Sequence, residues 1–369
     1  MSSLAHALSV LFAPRRKPPN RIGHPGWLPL LAVLPMGAAG GLLFDWLRLP
    51  LAWMLGSAVV CTVAAMSGMR VGMDIRLRQG MMIVLGVLLG STFTADIAQR
   101  APQWAASIGM MAMVTIIGGW CGWMFLTRIA GYDGRTAYFA SMPGGLNEMV
   151  TMGGAYGADE RRISLAHAVR ILTVVMTVPL WYRYIEGAKV ASITQMAKFG
   201  HNDWQDYAIL AACGILGALL ARLIRLPAAF MFGPLLASAA VHLLGWTDSR
   251  PPGTLVAIAQ IVTGCGIGCR FVGAIFREVA RDIFYGVVLA WILIVFAAIF
   301  AALAHYWLGL RIDALVLSYA PGGFAEMSLV GLALGVEVSM VATHHLSRVF
   351  MIILGAPFVF RLGLLRRKG

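Results

Sequence analysis

The stretch Ser141-Met142-Pro143-Gly144-Gly145-Leu146-Asn147-Glu148-Met149 decides the interpretation of the chain, because a close copy follows at Ala320-Pro321-Gly322-Gly323-Phe324-Ala325-Glu326-Met327. Proline lacks a backbone donor and clashes with the preceding helical turn, and paired glycines have low helix propensity. Each stretch therefore predicts a break within a helix. In hydrocarbon, the freed backbone groups must be buried in protein or must face a water-filled cavity.

The repeat extends beyond these two breaks. At a constant offset of 178 residues, His167 corresponds to His345 and Arg170 to Arg348. Apolar segments fall into two sets of six that match in order and spacing. We therefore predict that the chain consists of two duplicated halves.

The predicted organisation has five parts. They are a basic cytoplasmic N-terminal tail (1–26), membrane repeat 1 (27–185), a linker (186–206), membrane repeat 2 (207–364) and a basic C-terminal tail (365–369). Both termini are expected in the cytoplasm.

Composition places the chain in a bilayer. The sequence is 59% hydrophobic and only 12% charged, with a mean hydropathy of +0.79, whereas soluble proteins contain about 25% charged residues. The net charge of +13 is explained by Lys and Arg in the loops between apolar segments, following the positive-inside rule. No basic region is long enough to form a nucleic-acid-binding module.

The fold class predicted is an all-α polytopic membrane protein with two duplicated, inverted halves, 10–12 membrane segments and two Pro-Gly-Gly broken or re-entrant helices. Two topologies are compatible with the segments. Either all twelve cross the membrane, or the two broken segments are re-entrant and ten cross. The distribution of Lys and Arg favours ten, because inversion places the basic loops around Arg78 and Arg270 on the same side.

Two acids lie well inside apolar runs, Glu148 and Glu326. A charge at mid-bilayer costs about 2.5–3.5 kcal/mol on insertion scales, so such residues usually face a cavity or a partner. We expect these carboxylates to bind a proton or a cation. The alternative is that each acid caps the helix following the break and complements its dipole.

A histidine and an arginine follow each break at a spacing that places them on one helical face. A buried arginine stays charged and requires a carboxylate or an anionic ligand. We expect Glu148 and Glu326 to pair with Arg170 and Arg348, either around a ligand or as a purely structural clamp. The predicted substrate- and ion-binding residues are Pro143, Gly144, Gly145, Asn147, Glu148, His167, Arg170, Pro321, Gly322, Gly323, Glu326, His345 and Arg348.

Broken helices, inverted halves and paired charges at mid-depth are typical of secondary carriers. The leading hypothesis is a carrier or exporter of a small solute that binds between the two breaks. The alternative is a ligand-sensing membrane protein that regulates gene expression indirectly. The expected partners are the bilayer and a small-molecule or ion ligand, without direct nucleic-acid binding, and a homo-oligomer is compatible with the sequence.

No enzymatic activity, cofactor or metal is predicted. The sequence has no Walker A loop and no hydrolase or zinc-protease motif. Cys265 and Cys269 are four residues apart, but no histidine or acid accompanies them, so buried packing is the preferred interpretation.

The duplicated Pro-Gly-Gly-x-x-Glu-Met motif, followed by a helix carrying His and Arg, resembles the bacterial AbrB membrane-protein family. The resemblance covers about Trp27 to Leu364. It implies an inner-membrane protein built from two copies of one module. Family labels include a regulator of gene expression and an ammonia monooxygenase. A monooxygenase requires copper or iron ligands, and clustered His and Asp/Glu sets of that kind are not found in the sequence.

Overall fold

The computed structural model describes residues 27–49, 51–69, 71–93, 97–187, 203–273 and 276–366. The predicted N-terminal tail, most of the linker and the last three residues lie outside these ranges. Within them, the chain forms fourteen α-helices and one short 3₁₀ turn, with no β-strand. The all-α fold class is therefore confirmed.

Each predicted half contains seven helices. The first seven are α1 Trp27–Trp46, α2 Ala52–Met66, α3 Ile75–Gly90, α4 Ile97–Arg128, α5 Gly134–Ser141, α6 Leu146–Ala155 and α7 Glu160–Tyr184. The second seven are α8 Trp204–Leu223, α9 Ala229–Leu243, α10 Gly253–Gly268, α11 Phe276–Leu308, α12 Ile312–Tyr319, α13 Phe324–Ala333 and α14 Val338–Arg366, with the 3₁₀ turn Cys269–Phe271 after α10. Helix α8 begins inside the predicted linker, and α14 runs into the predicted C-terminal tail.

Six helical stretches of the described chain are long and apolar enough to cross a membrane. They are Pro102–Arg128, Glu160–Tyr184, Trp204–Leu223, Gly253–Phe271, Val279–Leu308 and Val338–Phe360. Shorter apolar helices are Ala32–Trp46, Ala52–Met66, Ala229–Leu243 and Phe324–Ala333. This set is consistent with a multi-pass membrane protein. The number of spans, the duplication and the inversion of the halves stay predictions.

Glycines join the two halves at close helix crossings. On α3, a Cβ added to Gly86 would lie 2.5 Å from the carbonyl oxygen of Met231 on α9. On α10, a Cβ added to Gly268 would lie 2.5 Å from Cβ of Cys61 on α2. Small residues allow such approaches between membrane helices. The third helix of each half thus packs against the second helix of the other.

The segment from α5 to α6 folds back on itself. Arg135, at the start of α5, donates to the carbonyl oxygen of Tyr156, just after α6, at 3.1 Å. The backbone N–H of Asp159 donates to Thr136 Oγ1 at 2.9 Å, and the rings of Phe139 and Tyr156 stack at 5.8 Å. A segment crossing the bilayer would place these ends about 30 Å apart.

The corresponding segment of the second half folds back similarly. A Cβ added to Gly331 on α13 would lie 3.6 Å from Leu317 on α12. Arg311, just before α12, interacts electrostatically with Glu337, just after α13. Both fold-backs agree with the re-entrant alternative. We call residues 134–155 the first broken element and residues 312–333 the second broken element.

Candidate functional site

The backbone leaves the helix at each Pro-Gly-Gly motif, as predicted. We call residues 142–145 the first break and residues 320–323 the second break. Met142 and Ala320 have extended ψ angles of 127° and 135°, which end α5 and α12. Gly144 lies against the other half, because an added Cβ would be 2.9 Å from Ile352 on α14. The first break therefore lies at an interface between the halves.

At each break, one arginine donates hydrogen bonds to two backbone carbonyl groups that are outside regular helix pairing. Arg170 donates to the carbonyl oxygens of Met142 and Gly144 at 3.0 and 3.3 Å. Arg348 donates to those of Ala320 and Gly322 at 2.6 and 3.2 Å. Carbonyls at a helix C-terminus lack intrahelical partners and carry the negative end of the helix dipole. The two guanidinium groups therefore stabilise the ends of α5 and α12.

Two histidines support the same helices. His167 Nε2 lies 2.9 Å from the carbonyl oxygen of Phe139, and His345 Nε2 lies 2.9 Å from that of Leu317. A carbonyl oxygen only accepts, so both Nε2 atoms carry the hydrogen. His345 Nδ1 then accepts from Arg348 at 2.7 Å. The predicted shared face of His and Arg is confirmed in both halves.

The two acids occupy the third position of the helices that follow the breaks. Glu148 is in the first turn of α6, and Glu326 is in the first turn of α13. Cβ atoms added to Gly145 or Gly323 would collide with these carboxylates. Each acid is thus folded back over the N-terminal end of its helix. This geometry matches the capping alternative.

The expected pairs between acids and arginines are not formed. No ion pair of 4.0 Å or less joins Glu148 to Arg170 or Glu326 to Arg348 in the structure. The guanidinium donors are directed instead at the carbonyls of the breaks. The expectation was wrong because it considered only charged partners, whereas a helix C-terminus provides several acceptors.

Two further arginines, from the basic segments that follow α2 and α10, lie near the acids. The charges of Arg78 and Arg270 both act on Glu326, and Arg270 also interacts with Glu148. Arg78 projects from the first turn of α3, and Arg270 from the 3₁₀ turn after α10. The sequence indicated this proximity only through the predicted inversion of the halves, which would place both basic loops on the same side of the membrane.

The cluster around the breaks carries more positive than negative charge. It contains four arginines (Arg78, Arg170, Arg270 and Arg348) and two glutamates (Glu148 and Glu326). Arg170 and Arg348 are close enough to interact electrostatically. Both are nearly fully buried, with 2% and 3% of their surface exposed. Such a cluster attracts an anion.

Several hydrogen-bond donors in this cluster have no partner. The Nε–H groups of Arg78, Arg170 and Arg348 are buried and make no hydrogen bond to the protein. His167 Nδ1, which is an acceptor when Nε2 carries the hydrogen, also has no partner. Buried polar groups are nearly always hydrogen-bonded. The three Nε–H groups thus depart from this rule, because each lacks an acceptor in the protein.

The two breaks differ in exposure. Around the first break, Asn147 is exposed and Glu148 is half-buried. Around the second break, Pro321, Gly322 and Ala325 are buried, and Glu326 is only 8% exposed. The residues that follow the first break are thus more exposed than those that follow the second break.

A polar contact anchors the base of the first broken element to the second half. Tyr132, before α5, donates to Asp282 Oδ1 on α11 at 3.0 Å. Arg162 lies 3.7 Å from the other oxygen of Asp282 and stacks over the Tyr132 ring. Burial and the adjacent Asp282 carboxylate raise the pKa of Tyr132, so the phenol stays protonated as a donor.

Fold and site together define a multi-pass helical membrane protein in which two broken helices meet around an arginine-rich cluster. No group of three or more His, Cys, Asp or Glu side chains in the described ranges is arranged to hold a metal ion.

The chain belongs to the AbrB family. The model of the family described as "Transition state regulatory protein AbrB" matches residues 53–363. The chain is 26% identical to "Uncharacterized protein YhjN" of Bacillus subtilis, over 89% of this chain and 91% of that protein. It is 24% identical to "Putative regulator AbrB" of Escherichia coli, over 85% of this chain and 90% of that protein. Neither name describes an enzyme.

Proposed function

We propose that the protein is a secondary carrier that binds a small anionic or zwitterionic solute between the two breaks. The observation that carries this proposal is the set of buried arginine donors without a partner, at Arg78, Arg170 and Arg348. Arginine stays charged in proteins and binds carboxylate or phosphate groups through parallel N–H donors. A ligand of that kind would satisfy these donors.

The charge balance supports an anion over a cation. Arg170 and Arg348 are engaged by carbonyl dipoles, which leaves their positive charge without a paired carboxylate. Glu148 and Glu326 lie near Arg78 and Arg270 instead. Two net positive charges in a largely desolvated site would be stabilised by an anion. In this role the glutamates orient Arg78 and Arg270 and stabilise the N-terminal ends of α6 and α13.

The different exposure of the two breaks supports transport. Carriers with paired broken helices expose a midplane site alternately to each side of the membrane. In this proposal, the more exposed surroundings of the first break and the buried second break represent one such state. We propose a second state in which the accessibility of the two elements is exchanged, in the bacterial inner membrane.

The alternative is a membrane sensor that binds the same anion without moving it and regulates gene expression indirectly. The description of the family and the name of the Escherichia coli relative favour it. Both functions use the same binding residues, so they differ only in flux.

Two measurements, made one after the other, test the proposal. The first is a thermal-stabilisation screen of the purified full-length protein with small mono- and dicarboxylates, amino acids, inorganic phosphate and sulfate. A stabilising anion is then used as a radiolabelled probe for uptake into proteoliposomes that contain only this protein. Saturable uptake supports the carrier. Binding without uptake contradicts the carrier and supports the sensor, and stabilisation by none of these anions contradicts the anion site.

A further inference from the structure

A buried polar network lies beside the second break, in a position that the sequence motifs do not mark. It consists of Ser107 on α4, Tyr319 at the end of α12 and His344 on α14. Ser107 Oγ lies 2.8 Å from the Tyr319 hydroxyl and 2.9 Å from His344 Nε2. The Tyr319 hydroxyl also lies 2.9 Å from the Ser107 carbonyl oxygen, which is an alternative acceptor for its one hydrogen. All three residues are buried.

We propose that His344, Ser107 and Tyr319 form a proton-binding site that couples proton binding to the anion site. His344 Nδ1 lies 2.8 Å from the carbonyl oxygen of Met340, so Nδ1 carries a hydrogen. In the neutral state, His344 Nε2 accepts from the Ser107 hydroxyl. Ser107 Oγ in turn accepts from the Tyr319 hydroxyl.

Uptake of one proton leaves every group hydrogen-bonded. The proton adds to His344 Nε2, which becomes a donor to Ser107 Oγ. The Ser107 hydrogen rotates toward the Tyr319 oxygen, and the Tyr319 hydrogen points to the Ser107 carbonyl. A hydroxyl can both donate and accept, which makes this reversal available at no loss of partners. The network therefore has two satisfied states that differ by one proton.

The neighbouring histidine lacks this property. His345 Nε2 donates to Leu317, and its Nδ1 accepts from Arg348. Arginine has no acceptor, so a proton on His345 Nδ1 would face a guanidinium N–H. The groups that face the His344 network are Tyr319 from α12, Ser107 from α4, and His345 and Arg348 from α14. Arg348 is the one whose charge acts on His344.

The positions related to this network by the repeat do not form a second copy of it. At the offset of 178 residues, the counterparts of His344, Tyr319 and Ser107 are Ala166, Ser141 and Tyr285. The proposed proton site, next to the more buried break, therefore has no counterpart at the equivalent positions of the repeat.

Coupling to the anion follows from Arg348, and this step rests on the proposed function. Arg348 holds the second break and opposes a second positive charge on His344. An anion bound near Arg348 reduces that opposition. Anion binding and protonation of His344 then favour each other, and the effect is reciprocal. The expected behaviour is joint movement of a proton and an anion.

The proton site can be tested without a ligand. Deuterium exchange at the imidazole carbon of individual histidines, followed by mass spectrometry over a pH series, reports protonation of His344 in the purified full-length protein. Fragment ions separate His344 from His345. We expect an inflection for His344 that Ser107→Ala shifts by about one pH unit, the scale of one hydrogen bond to a charged group. Thr115→Val, on the same helix, removes a hydroxyl bonded only to Met111 and should leave the inflection unchanged.

An exchange rate without an inflection, or an inflection that Ser107→Ala does not move, would overturn the proton site. Coupling is tested with the stabilising anion from the screen. Its affinity should rise at lower pH in the wild type and lose that dependence in His344→Gln. An affinity equally pH-dependent in both proteins would overturn the coupling. If no anion binds, the proposed function fails while the exchange experiment still decides the proton site.

Discussion

The two broken elements are held in the same way but are buried to different extents. In both, a histidine binds a carbonyl within the first helix and an arginine binds two carbonyls at the break. The first break is nevertheless accessible around Asn147, whereas its counterpart Ala325 is buried. The shared contacts show that a helix break in an apolar protein needs side-chain donors for its backbone carbonyl groups. The differences identify where the two elements can have separate roles.

The shared contacts solve a backbone problem. A break in hydrocarbon leaves carbonyl groups that water cannot reach, and each unsatisfied group is costly. One arginine provides several donors in a fixed arrangement, so it can satisfy two carbonyls that point in similar directions. The His–Arg pair is therefore primarily structural, and the unpaired Nε atoms are the part left for a ligand.

The largest expected difference is in the stability lost when Arg348 or Arg170, the arginines that bind the two breaks, is replaced. Arg348 bonds two break carbonyls and His345, with a longer contact to Tyr319, whereas Arg170 bonds two carbonyls. At about 1 kcal/mol net per hydrogen bond, Arg348→Met should lower the free energy of unfolding by about 3–4 kcal/mol and Arg170→Met by about 2 kcal/mol.

Equilibrium unfolding in mixed micelles measures both losses. The control is Arg222→Met on α8, because Arg222 is exposed and its loss should change little. Equal losses for Arg170 and Arg348 would show that the extra contacts of Arg348 do not contribute.

The two acids provide a second, smaller contrast. Glu148 is half-buried, so Glu148→Gln should cost about 0.3–1 kcal/mol as a lost helix-dipole interaction. Glu326 is buried near Arg78 and Arg270, so Glu326→Gln should cost about 1–3 kcal/mol. Melting temperatures of the two variants in nanodiscs check the order. A larger loss for Glu148 would contradict the assignment of the buried element to the second half.

The smallest expected difference between the two broken elements is in how readily a water-soluble reagent reaches them. This difference relates most closely to transport. Asn147→Cys should react with a water-soluble maleimide faster than Ala325→Cys, because position 147 is exposed and position 325 is buried. Site-resolved mass spectrometry distinguishes these thiols from the five native cysteines. In a carrier, the bound anion should change the ratio of the two rates. Equal rates in the free protein would remove the structural basis for two states.

Sequence alone predicted the elements better than the contacts between them. The Pro-Gly-Gly motifs located both breaks, because proline and glycine act on the local backbone wherever they occur. The spacing of His167 and Arg170 correctly predicted one helical face. Partners could not be read in the same way, because the carbonyl acceptors at 142 and 144 have no side-chain signature. Arg78 and Arg270 approach the acids only through the packing of α3 and α10, which depends on close crossings between the halves.

The His344 network illustrates the same limit. Ser107, Tyr319 and His344 belong to three helices and have no spacing in common, so no motif connects them before the helices pack. The sequence contained one indication of these residues. His344, Tyr319 and Ser107 differ from the residues at the corresponding positions of the 178-residue repeat. Departures from an otherwise regular duplication deserve as much scrutiny in such sequences as the repeated residues do.

The central claim is that the arginine cluster at the two breaks binds an anion. The most direct test is the affinity of the stabilising anion, measured by equilibrium binding, in Arg78→Gln, Arg270→Gln and the double variant. The matched control is the double variant Arg76→Gln with Arg281→Gln. Arg76 lies on α3 with Arg78, and Arg281 lies near the start of α11, shortly after the turn that carries Arg270. Both control residues are exposed. Loss of a charge-assisted hydrogen bond should weaken binding about 10- to 100-fold in each single site variant, with no change in the control. Unchanged affinity in the Arg78 and Arg270 variants, or an equal loss in the control, would contradict the account.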